Sequence, residues 1–212
     1  MVLPVDATPP PGRDLRGVDL LLRAFAPGTL SEIVGPGSSG SSSLLTALIS
    51  RVTNAGGHVA IVDAGDAFDP SSAADAGADL ARLLWVKCGG RVRAAWSATD
   101  LLARCPAFSL VACDFGEPCS GERGASALSL CRRIQRAAEQ SAVTVVLRVP
   151  RPLAGSAAAL VVSVRRLGAQ WVGQPRPTRL IGLRSEALVL RARARSDETP
   201  REGERVAIEW RL

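Results

Sequence analysis

The stretch IVGPGSSGSSS, residues 33–43, constrains the fold more than any other part of the chain. Ile33 and Val34 read as the end of a strand, and Leu44, Leu45, Leu48, Ile49 and Val52 recur at helical spacing up to Gly56-Gly57. A strand that turns through glycines straight into a helix belongs to α/β architectures. The spacing follows the phosphate-binding pattern G-x-x-x-x-G-K-[ST], in which backbone N–H groups cradle phosphates, the lysine reaches them and the hydroxyl holds Mg²⁺. Gly35 and Gly40 fit it, and Ser42 stands where the metal-holding hydroxyl belongs. Position 41, where the lysine belongs, is Ser41. The run of serines would then serve to satisfy backbone groups of a retained turn.

At 212 residues, 47% of them apolar, the chain suits one domain with a core of ordinary size. No apolar run approaches the roughly 18 residues of a membrane span, and MVLPVDATPPPG has neither a basic start nor an apolar stretch. The expectation is a soluble, cytoplasmic protein with no membrane partner. Cys88, Cys105, Cys113, Cys119 and Cys131 are odd in number and include no close pair, which argues for free thiols and against a metal site. His58 has no second histidine to act with and reads as a surface or strand-edge residue. Of the net charge of +6, residues 145–212 carry 13 basic and 6 acidic side chains, while residues 1–144 carry 13 and 14. This asymmetry suits an acidic or nucleic-acid partner. All the basic residues but Lys87 are arginine, a bias that base composition explains as well as selection does.

Residues 1–14 are Pro-rich and expected to be irregular, with a single domain over 15–212. Apolar runs alternate with helical patterns, which predicts a largely parallel sheet covered by helices. Strands are expected at Ser31–Val34, Val59–Asp63, Leu83–Val86, Leu110–Asp114 and Thr144–Val149. Helices are expected at Ser42–Asn54, Ser71–Ala76, Ala94–Arg104 and Ser126–Gln140, the last with Leu130, Ile134 and Ala137 inward and Arg132, Arg133 and Arg136 outward. From Leu160 onward the pattern predicts antiparallel strands at Leu160–Arg165, Arg179–Leu183, Ala187–Arg195 and Val206–Leu212, with a hairpin loop at residues 196–204. Period-two alternation puts Leu188, Leu190, Ala192 and Ala194 on one face and Arg191, Arg193 and Arg195 on the other. That arginine face is either a solubilising surface or a DNA or partner surface.

Order and spacing resemble the RecA recombinase core from about Leu15 to Ala194. GTLSEIVGPGSSGSSS keeps the Gly-Pro-x-Ser-Ser-Gly signature, HVAIVDAGDAFDP the Asp-Ala-x-x-x-x-Asp-Pro loop, and GADLARLLWVK, SLVACD and VTVVLRV follow in family order. The resemblance implies a RecA-like α/β fold with C-terminal antiparallel strands. Against that family, Ser41 replaces the phosphate-binding lysine, Gly65 replaces the glutamate that positions the attacking water, and Asp114 remains from the Walker B strand. Phosphoryl transfer rests on positioning and on stabilising developing charge, so both losses together remove the mechanism. The resemblance therefore implies a pseudo-ATPase with no catalytic residue, no cofactor and no metal, whose nucleotide binding is weak or undetectable.

The segments corresponding to the family's DNA-binding loops, FGEPCSGERGAS and VPRPLAGSA, are short, and the stretch before the core is expected to lack the family's docking helix and strand. A RecA-like core with a degenerate nucleotide site is similar to the ImuA family of accessory proteins. That resemblance implies DNA-damage-induced mutagenesis and translesion synthesis, with RecA, ImuB and an error-prone C-family DNA polymerase as partners, and possibly DNA. Two alternatives stay open: a DNA-binding module using Arg191, Arg193 and Arg195, and a divergent ATPase whose cation comes from Lys87 or an arginine.

Overall fold

The computed structural model describes residues 15–116, 125–174, 176, 178–193 and 200–211. Helix α1 (Leu15–Arg23) leads into β1 (Leu30–Val34), α2 (Ser41–Asn54), β2 (Val59–Asp63), α3 (Pro70–Asp75), β3 (Leu83–Lys87), α4 (Val92–Leu102) and β4 (Leu110–Asp114). There follow α5 (Ala125–Ser141), β5 (Thr144–Val149), β6 (Leu160–Val172), β7 (Arg179–Ala192) and β8 (Arg205–Arg211). One eight-stranded sheet has the order β3-β2-β4-β5-β1-β6-β7-β8. From β3 to β6 neighbours run parallel, and β7 and β8 are added antiparallel.

Apolar residues alternate between the two faces of the sheet. Val59, Ile61, Leu110, Ala112 and Val146 pack with Leu21 and Phe25 near α1 and with Leu44, Leu45, Leu48 and Ile49 of α2. Ala60, Val62, Val111, Cys113, Val145 and Leu147 pack on the opposite face against Ala95 and Trp96 of α4 and Cys131, Ile134 and Ala137 of α5. Both faces of the parallel strands are covered, so they read as unbroken apolar runs. Ile134 and Ala137 lie inward on α5, while Arg132, Arg133 and Arg136 are exposed, as helical periodicity requires.

Three sequence expectations need correction. β6 joins the sheet parallel to β1, through Ser31↔Leu160 to Val34↔Ser163, so antiparallel pairing begins only between β6 and β7. The expected strands Arg179–Leu183 and Ala187–Arg195 form one strand, β7. The expected inward face of Leu188 and Leu190 is not used: Ser185, Ala187 and Val189 are buried instead, and Leu190 is exposed. A register shift between Val161 and Val162 leaves Leu190 out of the pairing, so Ala192 returns to the core beyond it. The segment 1–14 and residues Ala194 and Arg195 lie outside the described residues.

One buried charge ties the loop after β5 to the centre of the sheet. Glu32 on β1 is almost fully buried, and its Oε1 accepts the backbone N–H groups of Leu153 and Ala154, each at 2.9 Å. Its Oε2 meets no partner among the described residues. Burial pushes the Glu32 carboxyl above the ordinary range, against the pull of the two N–H groups and of Arg191. The neighbouring Cys131 thiol is pushed up to about 12, first by burial and then by Glu32. A carboxyl raised in the folded state contributes stability that is complete below its unfolded pKa and lost as pH rises through the folded one. Glu32→Gln therefore gains stability over the parent as pH rises from about 4 toward neutrality, which urea-unfolding midpoints across that range measure. A constant difference between the two proteins would contradict this.

Candidate functional site

In a parallel sheet the crevice beyond the carboxyl ends of the strands is where ligands sit, and here the sequence motifs converge on it. β1 ends in the glycine loop, β2 in Asp63, β4 in Asp114, and β5 carries Arg148 one residue before its end. Alternation places Asp63, Asp114 and Arg148 on the sheet face covered by α2.

The loop keeps the shape of a phosphate cradle. Gly35 donates its N–H to the Val149 carbonyl at 3.0 Å, Ser39 its N–H to Pro36, and Ser41 its N–H to Ser39 Oγ at 3.2 Å. Ser38 at φ 60 and Gly40 at φ 95 supply the left-handed turns. Gly40 has a second reason to lack a side chain, since a Cβ there would lie 2.4 Å from Ser185 Oγ on β7 and 2.7 Å from Trp210 Nε1 on β8. Ser185 Oγ also donates to the Ser39 carbonyl at 2.7 Å. The antiparallel strands thus clamp the glycine loop from the side.

Beneath the loop, an arginine of β5 stands beside Ser41, the residue at the lysine position of the phosphate-binding pattern. Arg148 Nη1 donates to Ser41 Oγ at 3.2 Å, and Arg148 Nε and Nη2 each lie 2.7 Å from Asp114 Oδ1. The same oxygen accepts the Gly116 N–H at 2.9 Å. The two side chains are only 12% and 9% exposed. Asp114 is therefore paired with a guanidinium on the next strand, and that guanidinium reaches the first turn of α2. Ser42, at the metal-holding position, is exposed.

Gly65 lies at the rim. It is exposed, and an added Cβ would meet nothing within 4 Å, so no packing demand excludes a larger residue there. The surrounding loop is organised by Asp63, which accepts Ala67 N–H at 3.0 Å, Phe68 N–H at 2.9 Å and Trp85 Nε1–H at 3.2 Å. Asp69 caps α3 by accepting from the Ser71 and Ser72 N–H groups.

The expected C-terminal arginine row is not assembled as an open face. Arg191 is half-buried and donates to the Gly155 carbonyl, with Glu32 close by. Arg193 is exposed, and lines a small crevice with Ala24, Ala26 and Thr29. Among the described residues no cluster could hold a metal ion, and no helix is long and apolar enough to cross a membrane. Sequence reasoning did not single out Arg148. Its signal was a charged residue inside TVVLRV, a run otherwise suited to burial on both faces.

Comparison with known proteins bears on the fold. Residues 17–117 match the RecA N-terminal domain. Protein RecA of Caulobacter vibrioides is 37% identical over 100 residues, covering 46% of this chain and 28% of that protein. Protein RecA of Chlorobium limicola is 47% identical over 57 residues, 27% of this chain and 16% of that one. The chain's matches thus span less than a third of these relatives. The crystal structure of the RadB recombinase superposes with a TM-score of 0.62 at 19% identity, covering 86% of this chain and 87% of that one. The protein has a RecA-like domain with a RadB-like fold, and its homology to RecA is distant and covers part of the chain.

A buried ion pair broken on one side costs about 3–5 kcal/mol, whereas replacing both partners with apolar groups is close to neutral. Arg148→Met should therefore destabilise the protein by about that amount, and Arg148→Met with Asp114→Leu should recover most of it. Denaturant unfolding of the four proteins of the cycle measures the coupling. Additive losses would show that the pair is not a structural unit.

Proposed function

We propose that this chain is a non-catalytic RecA-like accessory protein of DNA-damage-induced mutagenesis, a pseudo-ATPase that binds and modulates RecA, ImuB or both beside an error-prone C-family polymerase. The observation that carries this reading is the Arg148–Asp114 pair against Ser41. One oxygen of the Asp114 carboxylate already takes three donors, and Gly65 stands where the resemblance implies the water-positioning carboxylate.

The partner side of the proposal is supported by the outer edge of the sheet. β3 has a strand on one side only. Leu84 is exposed on it, beside a hollow of about 360 Å³ lined by His58, Leu83, Ala107 and Phe108 among others. An unpaired strand edge next to an apolar hollow suits an extended partner segment that adds to the sheet and anchors one side chain. A RecA-like protomer that docks on a filament but brings no working nucleotide site stops growth there. A second reading, an ATPase using Arg148 as its cation, is favoured by the nearness of that guanidinium to Ser41.

The expected outcomes are no ATP turnover above background, and inhibition of RecA strand exchange at sub-stoichiometric to equimolar ratios that persists with DNA in large excess. Leu84→Glu should weaken both the inhibition and binding to RecA or ImuB in interferometry. Turnover abolished by Arg148→Met would favour the second reading. Binding to single-stranded DNA with none to RecA or ImuB would overturn the accessory role.

A further inference from the structure

β6 and β7 continue well beyond the body of the sheet. β1 pairs only with Leu160–Ser163, whereas β6 runs on to Val172 beside β7, and β8 accompanies β7 only from Gly182 to Leu188. Beyond β1 the outer part, residues 165–172 and 179–186, is an arm that β8 covers on the β7 side as far as Gly182, so that only 171–172 and 179–181 are two-stranded, and among the described residues its β6 edge is open. Register shifts between Arg166 and Gly168 and between Gln170 and Trp171 bend and twist it.

Two properties of this arm are not needed for folding. The segment 165–185 holds five arginines and no aspartate or glutamate. Arg165 is paired with Glu186, Arg184 lies across from Glu209 on β8, and among the described residues Arg166 and Arg179 meet no carboxylate. The arm also exposes large apolar side chains: Leu167 is 49% exposed, Trp171 52% and, on the opposite face from Trp171, Val172 41%. Trp171 pairs across the strands with Leu180. Ala169 pairs with Leu183, which pairs in turn with Trp210 at the glycine loop. Cross-strand partners share a face, so an apolar strip runs from the glycine loop to the tip on one face with Arg166 beside it, while Arg179 and Arg184, the partners of Val172 and Gly168, lie on the other. Charge alone would protect an open edge from aggregation, and single exposed apolar residues are ordinary, but a contiguous apolar strip marks an interaction site.

We propose that the β6–β7 arm is a docking surface for an acidic, extended protein segment carrying apolar anchor residues. The net positive charge of the arm selects acidic chains, and tryptophan and arginine are the side chains that dominate protein interfaces. The aliphatic members of the strip favour a polypeptide over a nucleic acid. Base-stacking surfaces line up several aromatic rings for successive bases, and Trp171 is the one aromatic residue in 165–185. This surface is separate from the β3 edge, at the opposite side of the sheet.

The test uses the whole chain and three labelled probes: a synthetic peptide alternating glutamate and leucine, an oligoglutamate of the same charge, and a single-stranded oligonucleotide. The Glu-Leu peptide should bind saturably, tighter than oligoglutamate and more weakly as salt rises. It should change the tryptophan fluorescence of the parent and leave that of Trp171→Phe unaltered. Trp171→Ala and Arg166→Ala with Arg184→Ala should each lower its affinity about tenfold or more, while Leu101→Ala, at an exposed position of α4, leaves it unchanged. No saturable binding, binding equal to that of oligoglutamate and indifferent to Trp171→Ala, or a Trp171-dependent preference for the oligonucleotide would each overturn the proposal.

Discussion

Arg148 and Asp114 join the ends of two adjacent buried strands, β5 and β4, and through Ser41 they hold the first turn of α2 against both. A charge placed this deep is tolerated only with its partner and its hydrogen bonds in place. Here the Asp114 oxygen is satisfied by Arg148 and by the Gly116 N–H. The glycine loop needs such support from below, because its left-handed turns at Ser38 and Gly40 persist only where the surroundings hold them. From the side it is supported by Ser185 and by the approach of Trp210 to Gly40. A loop shape that elsewhere receives a ligand is here held by the protein's own side chains.

The other buried charge works in the same way at the opposite sheet face. Glu32 lies one strand position before Ile33, so its carboxyl enters the layer under α5 and takes the two N–H groups of the loop after β5. Arg191, on β7, holds the next carbonyl of that loop. The segment VPRPLAGSA is therefore tied down from below and from the side. In this fold the two positions that break the apolar runs of β1 and β5 organise the two loops at the sheet's carboxyl edge.

Much of this was legible in the residues. Val59–Asp63, Leu110–Asp114 and Thr144–Val149 were bounded correctly, because strands covered on both faces are short apolar runs between turn residues. The glycine loop announced the strand before it and the helix after it. The direction of β6 was not legible, since the same apolar run serves a parallel or an antiparallel neighbour, and only the position of β1 in space decides. The face of Leu188 and Leu190 was lost for a different reason: one bulge residue inverts every side chain beyond it, and no turn residue marks it. Arg148 could be seen as an odd charge but not as the partner of Asp114 and Ser41, which lie 34 and 107 residues away in sequence.

The pair also bears on which side chains position 41 can take. A lysine restored at position 41 would bring an ammonium group against the Arg148 guanidinium, which now donates to Ser41 Oγ at 3.2 Å. Two cations would then share the single carboxylate of Asp114 in a place of low exposure, where like charges repel far more strongly than in water. Serine at 41 and arginine at 148 are thus mutually consistent. Gly65 is under no such constraint, being exposed with open space around its Cα. The two departures differ physically: one is locked in by a buried charge network, and the other is a surface position where a longer side chain would fit.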